Sequence, residues 1–594
     1  MSEINLRVLA LREVMRQHGI TAYLIPSSDA HQSEYVAPYW KSREWISGFS
    51  GSAGIAVITQ DHAGVWTDSR YFIQAERELK DSEFELHKQG VPHAPEHNAW
   101  LLDTLPEGSI VGLDGTLFSL AQVNRIKRIL SEKNIKIEAR YDLIDLIWKD
   151  RPALPLHPIF EHKVKFAGKN RKKKIALIRT EMHTQKVAYH LVTTLDDIAW
   201  TFNIRGTDIE YNPLALAYAV IGLDKTWLFI DAKKVTVTIN RKFEKEEIEV
   251  RPYASITKFL QQLPKDKKIL INPSTANYYL ANLLTSSQVQ KGKTLSTALK
   301  AIKNIKEIAH LRHSMARDGA AILRMYRWLL EELDQRPVSE YELAQYLSNC
   351  REQQGLYHGE SFPAIVGYQG NGAIVHYRPM PDTAALIKKQ GILLLDSGGQ
   401  YEDGTTDVTR TFALSEPSTT QKRHYTLVLK GHIAIANLIF PKGTKGIQID
   451  ALARQALWQN RLNYGHGTGH GVGFFLNVHE GPQSLSISMA RGGVPFEVGM
   501  ITSNEPGFYK EGEYGIRIEN LLLCVEDESN EFGDFLKFED LTLFPIDKQL
   551  IDQSLLNEQE VNWLNNYHQK VFDNLSPLLE GEEIEWLEEQ CAAI

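Results

Sequence analysis

The sequence predicts a multidomain protein of mixed α/β and α+β class, in which two α/β domains precede a larger α+β domain. A chain of 594 residues is too long to fold around one hydrophobic core. Short apolar runs alternate with helix-like stretches up to about residue 150 and again from about residue 169, as in α/β domains. Beyond Pro337 the pattern changes to strands punctuated by glycine, which is typical of a twisted antiparallel sheet with helices on one face.

The first domain is predicted to span residues 1–155. It opens with a leucine-rich helix over residues 5–18 and a buried strand over residues 20–25. The glycine-rich segment 48–54 could cradle a phosphate, but it lacks the Lys-Ser/Thr ending of a P-loop and the spacing of a dinucleotide-binding motif. A tight turn is therefore the preferred interpretation. A proline-rich segment at residues 151–158 then indicates a linker.

The second domain, residues 156–302, is predicted to be a diverged copy of the first. A basic helix starts near Lys169 and a strand follows at residues 187–192, which repeats the order of elements at the start of the chain. The basic cluster at residues 169–174 is interpreted as a solvated helix face. Shared α/β rules produce such similarity as well, so the repeat is a hypothesis for the structure to test.

A long amphipathic helix over residues 306–332 opens the third domain, which is predicted to span residues 303–548. The last segment, residues 549–594, is predicted to be helical. Asn557 and Glu560 have the spacing of a capping box, and apolar residues then fall along one side of a helix. These helices cover either a subunit interface or the third domain.

Composition narrows the class of protein. Hydrophobic residues make up 43% of the chain and charged residues 24%, with a formal net charge of -8, as in ordinary soluble proteins. The sequence contains no basic stripe with interleaved aromatic residues, which is the pattern that would predict nucleic-acid binding. No apolar run reaches the roughly 18 residues that span a bilayer, and the N-terminus lacks the pattern of a signal peptide. The three widely spaced cysteines fit a reducing compartment, so a cytoplasmic protein without membrane contact is predicted.

Five residues with metal-ligand chemistry lie between Gly391 and Asn520, each in a short strand-like run or a glycine-rich turn. They are Asp396, Asp407, His470, Glu505 and Glu519. Asp396 ends an apolar strand and Asp407 follows eleven residues later across a glycine-rich turn, which suits two adjacent antiparallel strands. Period-two alternation places Arg517 and Glu519 together on the face opposite Ile516 and Ile518.

Four carboxylates and one imidazole in a single cleft predict a site for two divalent metal ions. Carboxylates held this close repel one another, and their pKa values rise unless cations compensate. Two divalent ions would balance the four negative charges. Oxygen-rich ligation with one imidazole suits Mn²⁺, Co²⁺, Fe²⁺ or Zn²⁺ better than a structural zinc site, and ligand hardness favours Mn²⁺.

The ordered set of five residues resembles the pita-bread metallopeptidases. The resemblance rests on the motif His466-Gly-Thr-Gly-His470 and on the Asn-Glu-Pro-Gly sequence around Glu505. The sequences around His376, His479 and Tyr509 are similar to the aminopeptidase P branch, which removes an N-terminal residue that precedes proline. The similarity extends over the whole chain and includes two creatinase-like N-terminal domains, as in the long, three-domain, cytosolic form.

The resemblance implies a role for each residue of the set. Asp396 would bind one metal, Asp407 and Glu519 would bridge both, and His470 and Glu505 would complete the second site. Glu505 would also transfer a proton from the attacking water to the leaving nitrogen. The remaining implied residues surround the substrate or orient the carboxylates. They are His376 and His479 as hydrogen-bond donors to carbonyl oxygens, His466 beside the proline pocket, and Tyr509 and Arg517 as supporting groups.

The resemblance also implies a homodimer whose substrates are peptides with proline at the second position. Two departures from the family pattern, Arg378 and Phe508, are expected to affect the shape of the pocket. Three alternatives remain. A prolidase would use the same ligands on Xaa-Pro dipeptides; a creatinase-type amidinohydrolase has no use for a full dimetal ligand set; and an inactive pita-bread module would bind peptides without cleaving them.

Overall fold

The computed structural model describes residues 2–594 and divides into two compact units. The first contains residues up to 162 together with 169–296, and the second contains residues 163–168 and 297–594. The first unit holds two separate six-stranded sheets. The predicted domain limits 1–155, 156–302, 303–548 and 549–594 stay a prediction. No helix of the described residues is both long enough and apolar enough to cross a membrane.

The sheet nearest the N-terminus is mixed and has the order β4-β3-β2-β1-β5-β6. Its strands are β1 (Ala22–Pro26), β2 (Ile55–Thr59), β3 (Ala63–Thr67), β4 (Glu85–Lys88), β5 (Ile110–Leu113) and β6 (Lys136–Glu138). The pairs β1/β2 and β2/β3 are antiparallel, and the pairs β3/β4, β1/β5 and β5/β6 are parallel. β4 therefore forms one exposed edge of this sheet.

Six helices accompany this sheet. They are α1 (Glu3–Gln17), α2 (Ser42–Ser47), α3 (Phe72–Glu78), α4 (His97–Thr104), α5 (Leu120–Leu130) and α6 (Leu143–Ile147). The predicted first helix and first strand are confirmed as α1 and β1. The side chains of Val8, Leu11 and Met15 lie along one face of α1 and are fully buried with Tyr23 and Ile25 of β1. This apolar spacing explains why the segment forms a helix that packs on the sheet.

The second sheet repeats the topology of the first. Its order is β12-β11-β10-β8-β13-β14, with strands β8 (Tyr189–Val192), β10 (Ala217–Gly222), β11 (Thr226–Ile230), β12 (Ile248–Arg251), β13 (Ile269–Ile271) and β14 (Val289–Lys291). Antiparallel and parallel pairs occur at the same places as in the first sheet. The predicted similarity of the two domains is thus confirmed at the level of topology.

The remaining elements before residue 302 are helices and one short ladder. The ladder pairs β7 (Phe160–Glu161) with β9 (Ile204–Arg205). The helices are α7 (Val164–Ala167), α8 (Arg171–Thr184), α9 (Leu195–Phe202), α10 (Val237–Lys245), α11 (Ile256–Gln262), α12 (Tyr278–Ala281) and α13 (Leu295–Ala301). The predicted basic helix is α8, which begins after the N-cap Asn170.

The long helix predicted at the start of the third domain is α14 (Ile305–Leu333). Asn304 caps it and forms a capping box with Glu307. Four further helices of the second unit lie between residues 340 and 492. They are α15 (Glu340–Glu352), α16 (Thr419–Ala436), α17 (Gly446–Gln459) and α18 (Met489–Gly492).

The strands of the second unit are antiparallel, as predicted, but they form five small sheets where one was expected. Two of these sheets contain the strands that end at the predicted ligands: β17-β19-β22 and β23-β30-β29-β26-β24-β25. The other three are β15-β18, β16-β20-β21 and the hairpin β27-β28. β19 ends at Ser397 and β22 begins at Val408. The chain between these two strands forms β20 and β21, which pair with each other in a separate sheet, so a single continuous sheet does not form.

These strands are mostly two to six residues long. They are β15 (Val338–Ser339), β16 (Tyr357–Glu360), β17 (Ile365–Tyr368), β18 (Leu386–Ile387), β19 (Ile392–Ser397), β20 (Gly399–Tyr401), β21 (Gly404–Thr405), β22 (Val408–Ala413), β23 (Ile439–Pro441), β24 (Gly469–Gly471), β25 (Glu480–Leu485), β26 (Ile501–Asn504), β27 (Gly507–Lys510), β28 (Tyr514–Arg517), β29 (Asn520–Asn530) and β30 (Gly533–Asp540).

The C-terminal segment folds onto the second unit through the helices α19 (Glu558–Leu575) and α20 (Glu582–Cys591). The capping box predicted at Asn557 and Glu560 is present. Leu564, Val571 and Leu575 of α19 are fully buried in the largest core cluster of this unit. Within the chain, these helices therefore cover the domain that precedes them, which was one of the two expectations.

Candidate metal centre

The structure brings the five predicted metal ligands together at the ends of short antiparallel strands. Asp396 lies in β19 and Asp407 directly precedes β22; these strands pair so that Asp396 is opposite Thr409. The other three ligands, His470, Glu505 and Glu519, lie within β24, directly after β26 and directly before β29. β26 pairs with both β24 and β29. Adjacent strand ends therefore deliver all five side chains to one place.

The distances between the ligand atoms of these five residues are short enough for the residues to share a metal ion. One ligand atom from each of Asp407, His470 and Glu519 lies within 4.8 Å of the others. The Nε2 atom of His470 is 3.5 Å from Asp407 Oδ2 and 3.5 Å from Glu505 Oε1. These separations are too long for good hydrogen bonds but fit two ligands of one ion.

The carboxylates are buried and repel one another. Burial raises the pKa of Asp407 well above its usual range, and the neighbouring charges of Glu519, Asp396 and Glu505 raise it further. Burial likewise raises the pKa of Glu519, and that of Glu505 to about 7. Positive charge placed among these groups would relieve the repulsion.

An unsatisfied oxygen supports the same conclusion. Asp396 Oδ1 is buried and has no hydrogen-bond partner, whereas Asp396 Oδ2 accepts a hydrogen bond of 2.5 Å from Arg517. A buried carboxylate oxygen without a partner is costly unless a cation binds it. The donor set of oxygens and one imidazole therefore fits divalent metal ions.

Arg517 orients the acidic side of the site. Its guanidinium donates to Asp396, to Tyr509 OH at 2.6 Å and to Thr409 Oγ1 at 3.2 Å. Thr409 Oγ1 in turn donates to Glu519 Oε2 at 2.7 Å. Arg517 is fully buried, which lowers its pKa, but the neighbouring Tyr509, Asp396 and Glu505 side chains raise that pKa well above its usual range, so Arg517 stays charged.

Tyr509 extends this network to His466. His466 Nδ1 donates to the carbonyl oxygen of Gly467 at 2.8 Å, which leaves Nε2 as an acceptor. Tyr509 OH lies 2.8 Å from His466 Nε2 and donates to it, while it accepts from Arg517. His466, Tyr509 and Arg517 thus form one hydrogen-bonded chain that ends at Asp396.

His470 is held with its Nε2 atom towards the carboxylates. Its Nδ1 atom donates to the carbonyl oxygen of Gly471 at 2.9 Å, which fixes the tautomer. The register between β24 and β25 shifts between His470, which lies opposite Ser484, and Gly471, which lies opposite Glu480. Gly469 permits close strand approach here, because a Cβ atom would come within 1.8 Å of the carbonyl oxygen of Ser503.

The two other predicted histidines lie at the same site. The His479 ring packs edge-to-face on His470 with centroids 4.3 Å apart. After Arg517, His479 is the next group that lowers the pKa of Glu505. His376 is half-buried and follows Val375, whose carbonyl oxygen accepts from Arg517 at 3.4 Å. The structure therefore places the ring of His479 against His470, and it places the backbone that precedes His376 beside Arg517.

Several supporting residues were missed at the sequence level. Thr409 contacts Glu519 and Arg517, and Ser503 Oγ lies 3.2 Å from Glu505 Oε1. Thr409 follows the predicted ligand Asp407 by two positions, and Ser503 precedes the predicted ligand Glu505 by two positions. Strand alternation was therefore the signal that could have found them. Glu480, next to His479, is buried with Lys303 at 2.7 Å and Lys300 at 3.2 Å. No sequence spacing indicates these lysines, which lie about 180 residues earlier.

The expected effects of Phe508 and Arg378 on the shape of the pocket stay predictions. Phe508 lies on the opposite side of β27 from Tyr509 and packs in the core, with its ring 4.2 Å from the ring of His424. Arg378 is exposed.

With the geometry established, similarity to known proteins identifies the family. Residues 309–526 match metallopeptidase family M24, and residues 534–594 match the C-terminal region of that family. Residues 7–147 and 150–307 each match a creatinase/prolidase N-terminal domain. The chain belongs to metallopeptidase family M24, and its fold is two creatinase-like α/β domains followed by the metallopeptidase domain.

Individual relatives match along the full length. The chain is 44% identical to a probable Xaa-Pro aminopeptidase P of Laccaria bicolor, over 99% of this chain and 93% of the relative. It is 41% identical to aminopeptidase P2 of Arabidopsis thaliana, over 96% of this chain and 85% of the relative. The crystal structure of X-prolyl aminopeptidase from Caenorhabditis elegans, described as a cytosolic enzyme with a di-nuclear active site, matches with a TM-score of 0.96 at 35% identity, over 100% of both chains.

Proposed function

We propose that this chain is a metal-dependent Xaa-Pro aminopeptidase, which hydrolyses the bond between an N-terminal residue and a following proline. The convergence of four buried or half-buried carboxylates and one imidazole carries this proposal. Full-length similarity to aminopeptidases P supports it. Its substrates are accordingly peptides with proline at the second position.

The proposed ligands bind two divalent ions, with Mn²⁺ favoured by the hardness of the oxygen donors. Asp396 would hold an ion through Oδ1, the oxygen that Arg517 leaves unoccupied. Asp407, Glu519, His470 and Glu505 would supply the other ligands of the two ions. His470 presents the Nε2 lone pair because its Nδ1 atom donates to a backbone carbonyl.

Two divalent cations at such a site lower the pKa of water towards neutrality and polarise a substrate carbonyl group. Glu505 is the proposed proton carrier. Burial raises its pKa and the cations lower it, so its carboxylate can accept a proton from the attacking water and return it to the proline nitrogen. The nitrogen needs that proton because a secondary-amine anion is a poor leaving group.

His376 and His479 are proposed to donate hydrogen bonds to the carbonyl oxygens on either side of the scissile bond. Such donors stabilise the negative charge that develops during attack. His466 is held by Tyr509 and is proposed to border the proline ring. A peptidyl proline has no N–H, so this pocket selects the ring by shape.

The carboxylates of Asp396 and Asp407 are also proposed to attract the free ammonium group of the substrate. We further propose that the enzyme acts as a homodimer in the cytoplasm. The similarity to a structure described as a cytosolic enzyme supports the compartment.

Release of the N-terminal residue from Arg-Pro-Pro tests the function. Metal-stripped protein should be inactive and should recover with added Mn²⁺, and Asp407→Asn should lower kcat/KM at least about 1,000-fold, or about 4 kcal/mol. The matched control is Asp266→Asn, an exposed carboxylate in the other unit, which should keep full activity.

The same assay separates the alternatives. A prolidase would cleave an Arg-Pro dipeptide and leave Arg-Pro-Pro intact. An inactive peptide-binding module would release nothing from either peptide with any divalent metal while remaining folded. Either result would overturn the proposal.

A further inference from the structure

A second group of metal-ligating side chains lies in the first unit, on the edge of the N-terminal sheet. His62, His87 and Glu85 each offer one ligand atom within 4.8 Å of the others. His62 directly precedes β3, and the other two residues lie in the edge strand β4. The catalytic proposal uses none of them.

Strand register brings these three side chains to one face. β3 and β4 are parallel, with Gly64 opposite Glu85 and Trp66 opposite His87. Glu85 and His87 are two positions apart and so project from the same side of β4. His62 is two positions before Gly64 and lies on that side of the neighbouring strand.

The separation of the imidazole nitrogens matches a metal site. His62 Nε2 and His87 Nε2 lie 3.2 Å apart. Two ligand nitrogens at 2.0–2.1 Å from a tetrahedral zinc ion are about 3.3 Å apart. An imidazole-to-imidazole hydrogen bond has a similar length, so an experiment must separate the two interpretations.

Neighbouring side chains hold both rings in place. Trp66 stacks on His87 with centroids 3.8 Å apart and 6° between planes, and the Trp100 ring lies 4.6 Å from His62. Gly64 leaves the space that the rings occupy, because a Cβ atom there would come 2.7 Å from His62 Nε2 and 2.8 Å from the His87 ring. Partial burial lowers the pKa of both histidines, which favours the neutral form that binds metals.

We propose that His62, His87 and Glu85 form a separate site for one Zn²⁺ ion, with water as the fourth ligand. The half-exposed position of the rings and the exposed carboxylate give an ion direct access from solvent. Because two ligands come from β4 and one from the residue directly before β3, the ion cross-links the edge strand to its neighbour. The site is independent of the aminopeptidase proposal.

Zinc content measured on the full chain tests this site. The starting protein carries Asp407→Asn and Glu519→Gln, which removes the bridging carboxylates of the other cluster. After dialysis against Zn²⁺, this protein should retain one equivalent that disappears when His87→Gln is added. Glu85→Gln should weaken binding about 10-fold or more. The control His183→Gln changes an exposed histidine of α8 and should leave the zinc content unchanged.

A second measurement uses the protein with its acidic cluster intact. In the zinc-loaded chain, His87→Gln should lower the metal content by one equivalent. Zn²⁺ should slow hydrogen exchange of residues 85–88 only when His87 is present. Equal zinc content with and without His87, or exchange at residues 85–88 that ignores Zn²⁺, would show a simple imidazole pair and overturn the proposal. Neither readout depends on peptidase activity.

Discussion

The second unit contains an acidic cluster, formed by Asp396, Asp407, His470, Glu505 and Glu519, and the first unit contains a histidine cluster, formed by His62, Glu85 and His87. The two clusters have similar distances between ligand atoms but different ligand types. Each has three ligand atoms within 4.8 Å of one another. The acidic cluster combines four carboxylates with one imidazole, and Asp407 and Glu519 are almost fully buried. The histidine cluster has two imidazoles and one carboxylate on a half-exposed sheet edge.

The difference lies in what each cluster costs without a metal. Burial and mutual repulsion raise the pKa values of Asp407, Glu505 and Glu519, so the bare acidic site is strained at neutral pH. His62 and His87 are neutral groups that satisfy each other when no ion is present. A buried acidic site therefore requires its cations, whereas the half-exposed histidine pair does not require one.

Metal removal should give the largest stability difference between the two regions. At a free metal concentration of 1,000 times Kd, bound ions contribute about 4 kcal/mol, which chelation would remove. Hydrogen exchange should accelerate in β22, β24 and β26 and stay nearly unchanged in β1, β2 and β5. Equal acceleration in both units would contradict the comparison.

Asp407→Asn provides the control for that measurement. The folded-state pKa of Asp407 is raised above its unfolded value, so its contribution to stability is present below about pH 4 and is lost as pH rises through the folded pKa. At pH 7 in chelator, replacement by the neutral amide should therefore make the protein no less stable than the wild type. Urea unfolding monitors this comparison.

Arg517→Lys should give the next largest effect, a loss of about 100-fold in kcat/KM. Lysine keeps the charge but cannot contact Asp396, Tyr509 and Thr409 together, as the planar guanidinium does. The control Arg336→Lys changes an exposed pair with Glu342 and should leave turnover unchanged. Equal activity of the two variants would show that the charge alone suffices. The histidine cluster has no cation in such a role.

Acidification should destabilise the protein more through the buried histidines of the second unit than through the half-exposed pair His62 and His87. Burial lowers the pKa of His432 and of His568 to about 3, and His568 Nε2 accepts from the backbone N–H of Ile546 at 3.1 Å. Their stabilising contribution is complete above the unfolded pKa near 6.5 and is lost as pH falls towards 3. At pH 5 each of the two histidines therefore lowers the free energy of unfolding by about 2 kcal/mol.

Urea unfolding at pH 7 and pH 5 measures this cost. His568→Asn should lose about 2 kcal/mol less on acidification than the wild type, because the titrating group is gone. His183→Asn, at an exposed position, should follow the wild type. His87→Gln should change the pH dependence less than His568→Asn does, since its ring is half-exposed. A larger effect at His87 would reverse the comparison.

Tyr509→Phe should give the smallest effect, about 10-fold in kcat/KM, or about 1.4 kcal/mol. It removes the hydroxyl that links His466 to Arg517 but keeps the ring. The control Tyr514→Phe removes a hydroxyl that contacts His424 at 2.9 Å and should not change turnover. A loss confined to KM would place Tyr509 in substrate binding only. Ring position at the histidine cluster depends instead on stacking by Trp66.

Local patterns predicted much of the fold. The first helix, the long helix α14 and the capping box of α19 depend on contacts within a few residues, so their sequence signals were sufficient. The eleven-residue spacing also predicted that Asp396 and Asp407 lie at the ends of neighbouring antiparallel strands, β19 and β22. The division of the third domain into five sheets did not, because interruptions of a ladder depend on distant strands.

The sequence by itself determined which chemistry is available: four carboxylates and an imidazole in glycine-punctuated strands, with Arg517 beside Glu519. Only the tertiary structure decided which groups meet. Arg517 and Asp396 are 121 positions apart, and Thr409 and Glu519 are 110 apart, yet each pair is hydrogen-bonded. Period-two alternation fixes the face of a side chain, but the register between distant strands is set by packing of the whole core.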